Sequence, residues 1–181
     1  MRMRVLFILL LCGLSLIAQA QNTATASQTI ELVINPILDI KFSNTGSSNG
    51  DKVVMGFDTK EQYKKGVTSA TQEIEVSSNQ KFKISVQTTS STFAYRGAEA
   101  NANMPVDNSL FVAVMDNNTG GKVAQGFNNN YHALSSNMQD LILNGKQGES
   151  QKFALAYMAK PEIGYPTGSY SVDVMYTATQ P

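Results

Sequence analysis

The sequence has no tryptophan, one cysteine, one histidine and, at 15%, little charge. The cysteine, Cys12, lies in an N-terminal apolar run. No intrachain disulfide is available, and beyond that run there is no thiolate nucleophile or cysteine-ligated metal. His132 stands alone in "NNNYHALSS", where a solvated surface role is expected rather than that of a base or ligand. With 14 basic and 14 acidic residues in balance, no positive field would draw nucleic acid. The missing tryptophan removes the largest aromatic platform on which a sugar could stack. Helical periodicity is also nearly absent, and alternation takes its place.

What the N-terminus does have is "MRMR", then "VLFILLLCGLSLI", then "AQA". A short basic start, an apolar core and a small-x-small site read as a secretory signal peptide, residues 1–20, cut before Gln21. The apolar core is short for a bilayer span, so the mature chain is expected to carry none. Leu11 is bulky, and eight residues separate Cys12 from the cut before Gln21, which argues against lipid attachment. Cleavage would leave a slightly acidic chain of about 160 residues, enough for one domain with its own core. We divide it into an N-terminal strand, residues 21–35, and a β-sandwich domain, residues 36–181.

Short alternating runs fill the mature chain. "SQTIELVI" places Ile30, Leu32 and Ile34 on one face; Asn35-Pro36 breaks the run, and "ILDIKF" resumes it. "DKVVMGF" is a third candidate strand. "QEIEVSSNQKFKISVQ" reads as a hairpin, with Ile74 and Val76 on one arm and Phe82, Ile84 and Val86 on the other. Residues 88–108 and 122–137 read as loops around the strand "SLFVAVM". "MQDLILN" and "SQKFALAYM" flank "GKQG" as a second hairpin, and residues 169–179 form a final strand. About nine short strands between turn clusters predict an all-β fold, an immunoglobulin-like Greek-key β-sandwich.

Candidate chemistry is sparse. Asp51, Asp58, Asp107 and Asp140 are scattered, with no spacing that pairs them for acid–base work. In "DNNTGG", Asp116, Asn118 and Gly121 have the spacing of a calcium loop, but Phe127 stands where its bidentate Glu is required. A tight turn explains the same residues. Tyr63, Tyr95, Tyr131 and Tyr165 fall in loop-like stretches and either cover the core ends or offer a contact surface. We therefore expect no catalytic residue, cofactor or metal, and no enzyme.

The final stretch, "GYPTGSYSVDVMYTATQP", is more informative. Pro166 and Gly168 suit a tight turn. Tyr170, Val172, Val174 and Tyr176 then share one face of the strand. The Gly-x-Tyr-x-apolar order matches the tyrosine corner of immunoglobulin-like sandwiches, in which the tyrosine bonds back to upstream backbone. A plain turn followed by a strand accounts for it equally. If Tyr170 opens strand F, only Gln180 and Pro181 follow Thr179 where a strand G is expected, and the sheet edge stays open.

A signal peptide, an alternating N-terminal extension and a closing Gly-x-Tyr strand make the chain resemble bacterial chaperone–usher pilins and the spore coat protein U-like group of secreted β-sandwiches. It differs from many pilins in lacking a disulfide and in the five residues that follow Tyr176. The resemblance implies an exported structural subunit, met by a periplasmic chaperone in transit and self-assembling with identical or related subunits into a fimbria or other surface polymer. It also implies that each N-terminal strand fills a neighbour's groove.

The assembly strand would then present Ala26, Ile30, Leu32 and Ile34 to an acceptor edge at Tyr170, Val172, Val174 and Tyr176. Burying the three large side chains is worth roughly 5–9 kcal/mol before ordering costs. The same face would serve equally well if the strand closed its own subunit. In that case the expectation is a monomeric secreted binding module, with a protein or carbohydrate ligand held by the two polar stretches.

Overall fold

The structure is a computed structural model that describes residues 22–47, 49–99 and 102–181. The expected signal peptide and its cleavage at Gln21 lie outside the described residues. The chain divides into two units, Met1–Ile34 and Asn35–Pro181. In the first, residues 22–34 form no helix or strand, so the strand expected at residues 27–34 is not formed in this single chain.

The second unit is all-β, as its alternation requires. Its strands are β1 (Leu38–Phe42), β2 (Val67–Thr68), β3 (Gln72–Ser78), β4 (Phe82–Thr88), β5 (Ala94–Gly97) and β6 (Leu110–Asn117). They continue with β7 (Lys122–Val123), β8 (His132–Ala133), β9 (Gln139–Gly145), β10 (Gly148–Ala159), β11 (Gly168–Ser171) and β12 (Val174–Thr179). One sheet runs β1-β3-β10-β6-β8, with β2 against β10; the second runs β12-β4-β9-β7; β11 and β5 form a separate two-stranded ribbon. All strand pairings are antiparallel.

The sheets pack as a sandwich because inward residues of both are apolar. Ile74 and Val76 of β3, Ile84 and Val86 of β4, Leu141 and Ile142 of β9, and Phe153 and Leu155 of β10 are all buried in one cluster. Charge stays on the outer face of the first sheet. There Lys41 pairs with Glu75 at 3.1 Å and Lys152 with Glu73 at 2.8 Å, and these lysines hold both carboxyls below the usual glutamate range.

Several expectations need correction. The two stretches read as hairpins are arches between sheets: β3 pairs with β1 and β10, while β4 pairs with β12 and β9. Alternation is blind to this difference, because an arch and a hairpin present the same inward face. The arches lie side by side, Ser78 opposite Gly148 in one sheet and Phe82 opposite Gly145 in the other. The second arch runs from the β4 sheet to the β3 sheet.

The final strand is also two elements. Tyr170 belongs to the ribbon and Tyr176 to the second sheet, with a break at Val172 and Asp173. Residues 88–108, expected as loop, supply β5 and bury Met104 and Val106. Residues 122–137 supply β7 and β8 and bury Phe127 and Leu134. "DKVVMGF" forms no strand and joins neither sheet. It leads into a short helix, α1 (Lys60–Lys65), that the alternation gave no cause to expect. Thr59 and Gln62 close α1 with a capping box, which satisfies two backbone donors at its first turn.

Candidate functional site, a groove between two open sheet edges

Strands β1 and β12 are the outermost strands of their sheets on the same side of the sandwich. Strand β12 pairs only with β4, from Val174 opposite Thr88 to Thr179 opposite Lys83, and β1 pairs only with β3. Among the described residues, β12 has no ladder partner on its other side, whereas β1 has one at Phe42, whose amide donates to the Ser47 carbonyl at 2.7 Å and whose carbonyl accepts from Gly46 at 2.8 Å. Strand β12 therefore turns a row of backbone donors and acceptors outward, and β1 does so only ahead of Phe42.

Two contacts join the edges, and a third ties β12 to the opposite sheet. The Gln180 side-chain amide donates to the Ile37 carbonyl at 2.8 Å and to Ser78 Oγ at 2.9 Å. The Phe42 and Tyr176 rings meet edge to face at 6.2 Å. The Tyr176 and Tyr157 hydroxyls share a 2.8 Å hydrogen bond that joins β12 to β10 across the sandwich. Burial pushes Tyr157 up to about 12 and Tyr176 well above its ordinary value of 10, so both stay neutral donors at any physiological pH.

Between the edges lies a groove with a volume of about 1210 Å³. Its walls include Ile40 and Phe42 on one side and Val172, Val174 and Tyr176 on the other; Ile74, Leu110 and Tyr157 form part of its floor. Residues 52–57 also line it. Val53, Met55 and Phe57 are half-buried, whereas Val54 between them is 76% exposed. Val53 and Met55 pack against the core, and the Phe57 ring lies 5.0 Å from that of Tyr63. No backbone-to-backbone hydrogen bond involves residues 52–57 among the described residues.

At one end of the groove the tyrosine corner is formed. The Tyr170 hydroxyl donates to the Pro166 carbonyl at 2.8 Å, and Tyr95 on the neighbouring strand donates to the Thr167 carbonyl at 2.9 Å. Their rings lie 4.9 Å apart, with Tyr165 6.4 Å from Tyr170. Loss of water and the neighbouring phenols raise the Tyr170 pKa.

All four residues expected at the acceptor edge, Tyr170, Val172, Val174 and Tyr176, line this groove. Tyr170 comes from β11, Val174 and Tyr176 from β12, and Val172 from the break between them, rather than all from one strand. Of the expected assembly residues, Ala26 is exposed, and Ile30, Leu32 and Ile34 are 77%, 84% and 82% exposed, outside any helix or strand. Sequence reasoning missed Phe42, Tyr157 and the position of residues 52–57. The alternation of Val53, Met55 and Phe57 was visible, but nothing in it told a paired strand from an unpaired one.

The other candidates are accounted for locally. Asp116 accepts from the Asn117 amide and from Asn118 Nδ2, and Asn117 bonds the buried Thr119, so the acidic turn satisfies itself. The His132 ring lies 4.6 Å from the buried Phe127 ring. Among the described residues, no three His, Cys, Asp or Glu side chains gather as metal ligands, and no helix is long and apolar enough to cross a membrane. What the groove can do chemically is accept an extended peptide, with ladder bonds at its edges and apolar contacts at its floor. Neither the protein-family models nor the curated proteins provide a match to this chain.

Proposed function

We propose that the protein is a non-enzymatic, exported structural subunit that polymerises at the cell surface by strand addition, in the manner of a fimbria. The segment bearing Ile30, Leu32 and Ile34 of one subunit enters the groove of the next, a copy of itself or a related subunit. One observation carries this reading: a groove with an apolar floor bounded by two sheet edges, β12 with its outer ladder side free among the described residues and β1 with its outer side taken only at Phe42. The exposed alternating segment has the complementary pattern, and main-chain bonds with alternate-side-chain pockets are how sheet edges recognise peptides. The binding-module alternative draws less support, because the stretches expected to be free loops place Met104, Val106, Phe127 and Leu134 in the core.

The size distribution of the purified full-length subunit tests the reading. Polymers are expected, Leu32→Asp should reduce them to monomers without lowering the melting temperature, and a synthetic peptide of residues 22–34 should cap growth. A wild-type protein that stays monomeric at high concentration and takes up no peptide would overturn the proposal.

A further inference from the structure

We infer that residues 52–57 are a stand-in strand that guards the groove of the unassembled subunit and is displaced by the incoming strand. The inference rests on the assembly reading above and adds a step to it. In "KVVMGF", Val53, Met55 and Phe57 repeat the every-second-residue spacing of Ile30, Leu32 and Ile34 in "TIELVI". They are half-buried in the groove that the donated strand would occupy.

The resident segment is the weaker occupant on two counts. It has no backbone ladder to β1 or β12, so its hold is apolar contact alone. It also carries Gly56, which adds no packing and loses more freedom than other residues on becoming extended. An incoming "TIELVI" brings β-branched residues and a full set of ladder partners to β12. The stand-in thus shields apolar surface while the subunit is alone, and yields when a better strand arrives.

Substitutions that loosen or tighten the segment test this. Met55→Ala removes an apolar anchor. Gly56→Thr tightens the segment: a Cβ there meets nothing closer than the Asp58 carboxylate at 3.9 Å, and its φ is not in the left-handed region. With full-length subunit and a fluorescent peptide of residues 22–34, uptake should accelerate about tenfold for Met55→Ala and slow several-fold for Gly56→Thr. A thiol introduced by Met55→Cys should label slowly in the free subunit and faster once peptide is bound. If Met55→Ala fails to fold, Gly56→Thr and the labelling decide. Peptide binding at equal rates in all variants, with labelling unchanged, would overturn the stand-in and leave the assembly reading intact. No uptake by any of them would bring down both.

Discussion

The hydroxyls of Tyr157 and Tyr176 meet at 2.8 Å inside the sandwich, and this is the one side-chain hydrogen bond that ties β10 to β12 among the described residues. Each is the other's partner. Tyr157→Phe or Tyr176→Phe alone leaves a hydroxyl without one, at a cost of about 1–3 kcal/mol. The double variant removes both polar groups and should be less destabilised than the sum of the singles. Urea melts of the four proteins give the coupling, which we expect near 1 kcal/mol.

The same pair makes stability fall at high pH. Unfolded, both tyrosines lose their protons near pH 10. Folded, Tyr157 keeps its proton to about pH 12, and Tyr176 is also raised. The unfolded state binds fewer protons in that window, so the contribution is intact below pH 10 and is lost as pH rises toward 12. The slope should approach about 1.4 kcal/mol per pH unit for each tyrosine. Denaturation midpoints across pH 9 to pH 12 should drop steeply for the wild type and less for the double phenylalanine variant.

Tyr170→Phe should cost about 0.5–1.5 kcal/mol through loss of its bond to the Pro166 carbonyl, with the ring contact to Tyr95 kept. Hydrogen exchange should rise at β5 and β11 and stay unchanged at β3 and β10. A uniform rise over both sheets would refute a local role for the corner.

Asn79 holds residues 35–37 against the first arch. Its side chain accepts from the Ile37 amide at 2.9 Å and donates to the Asn35 carbonyl at 2.8 Å, on either side of Pro36. Asn79→Ala should cost about 1–2 kcal/mol, and backbone exchange should quicken at residue 37 before it does within β3.

A side chain at Gly121 has no room: its Cβ would lie 2.6 Å from the Leu143 carbonyl oxygen and 2.7 Å from the Gly145 amide. Gly121→Ala should lower stability by about 1–3 kcal/mol. Gly164→Ala, where nothing lies within 4 Å, should leave the thermal midpoint nearly unchanged.

The parts of this fold that alternation governs were legible. Ile74, Val76, Ile84, Val86, Val174 and Tyr176 face inward because every second residue of their strands is apolar. The turn at Pro166 and Gly168 was legible too, being local, but the sequence left a tyrosine corner and a plain turn equally supported, and the Tyr170 bond to the Pro166 carbonyl decides it. Pairing was not: whether residues 79–81 fold a hairpin or an arch depends on which strands β3 and β4 take as neighbours, and β10, β9 and β12 lie far along the chain. The groove combines both kinds of information. Its β12 wall was visible in sequence, whereas Phe42, Tyr157 and the segment around Met55 are brought there only by tertiary packing.

The two neighbouring arches set the order of events during synthesis. Strands β3 and β4 are finished early, yet both central neighbours, β10 and β9, come from residues 139–159. Nothing in the middle of either sheet can close until that late segment has left the ribosome, and sheets built from such distant partners are slow to form. The nascent chain therefore stays open for most of its synthesis, with its most apolar strands waiting for mates that have yet to be made.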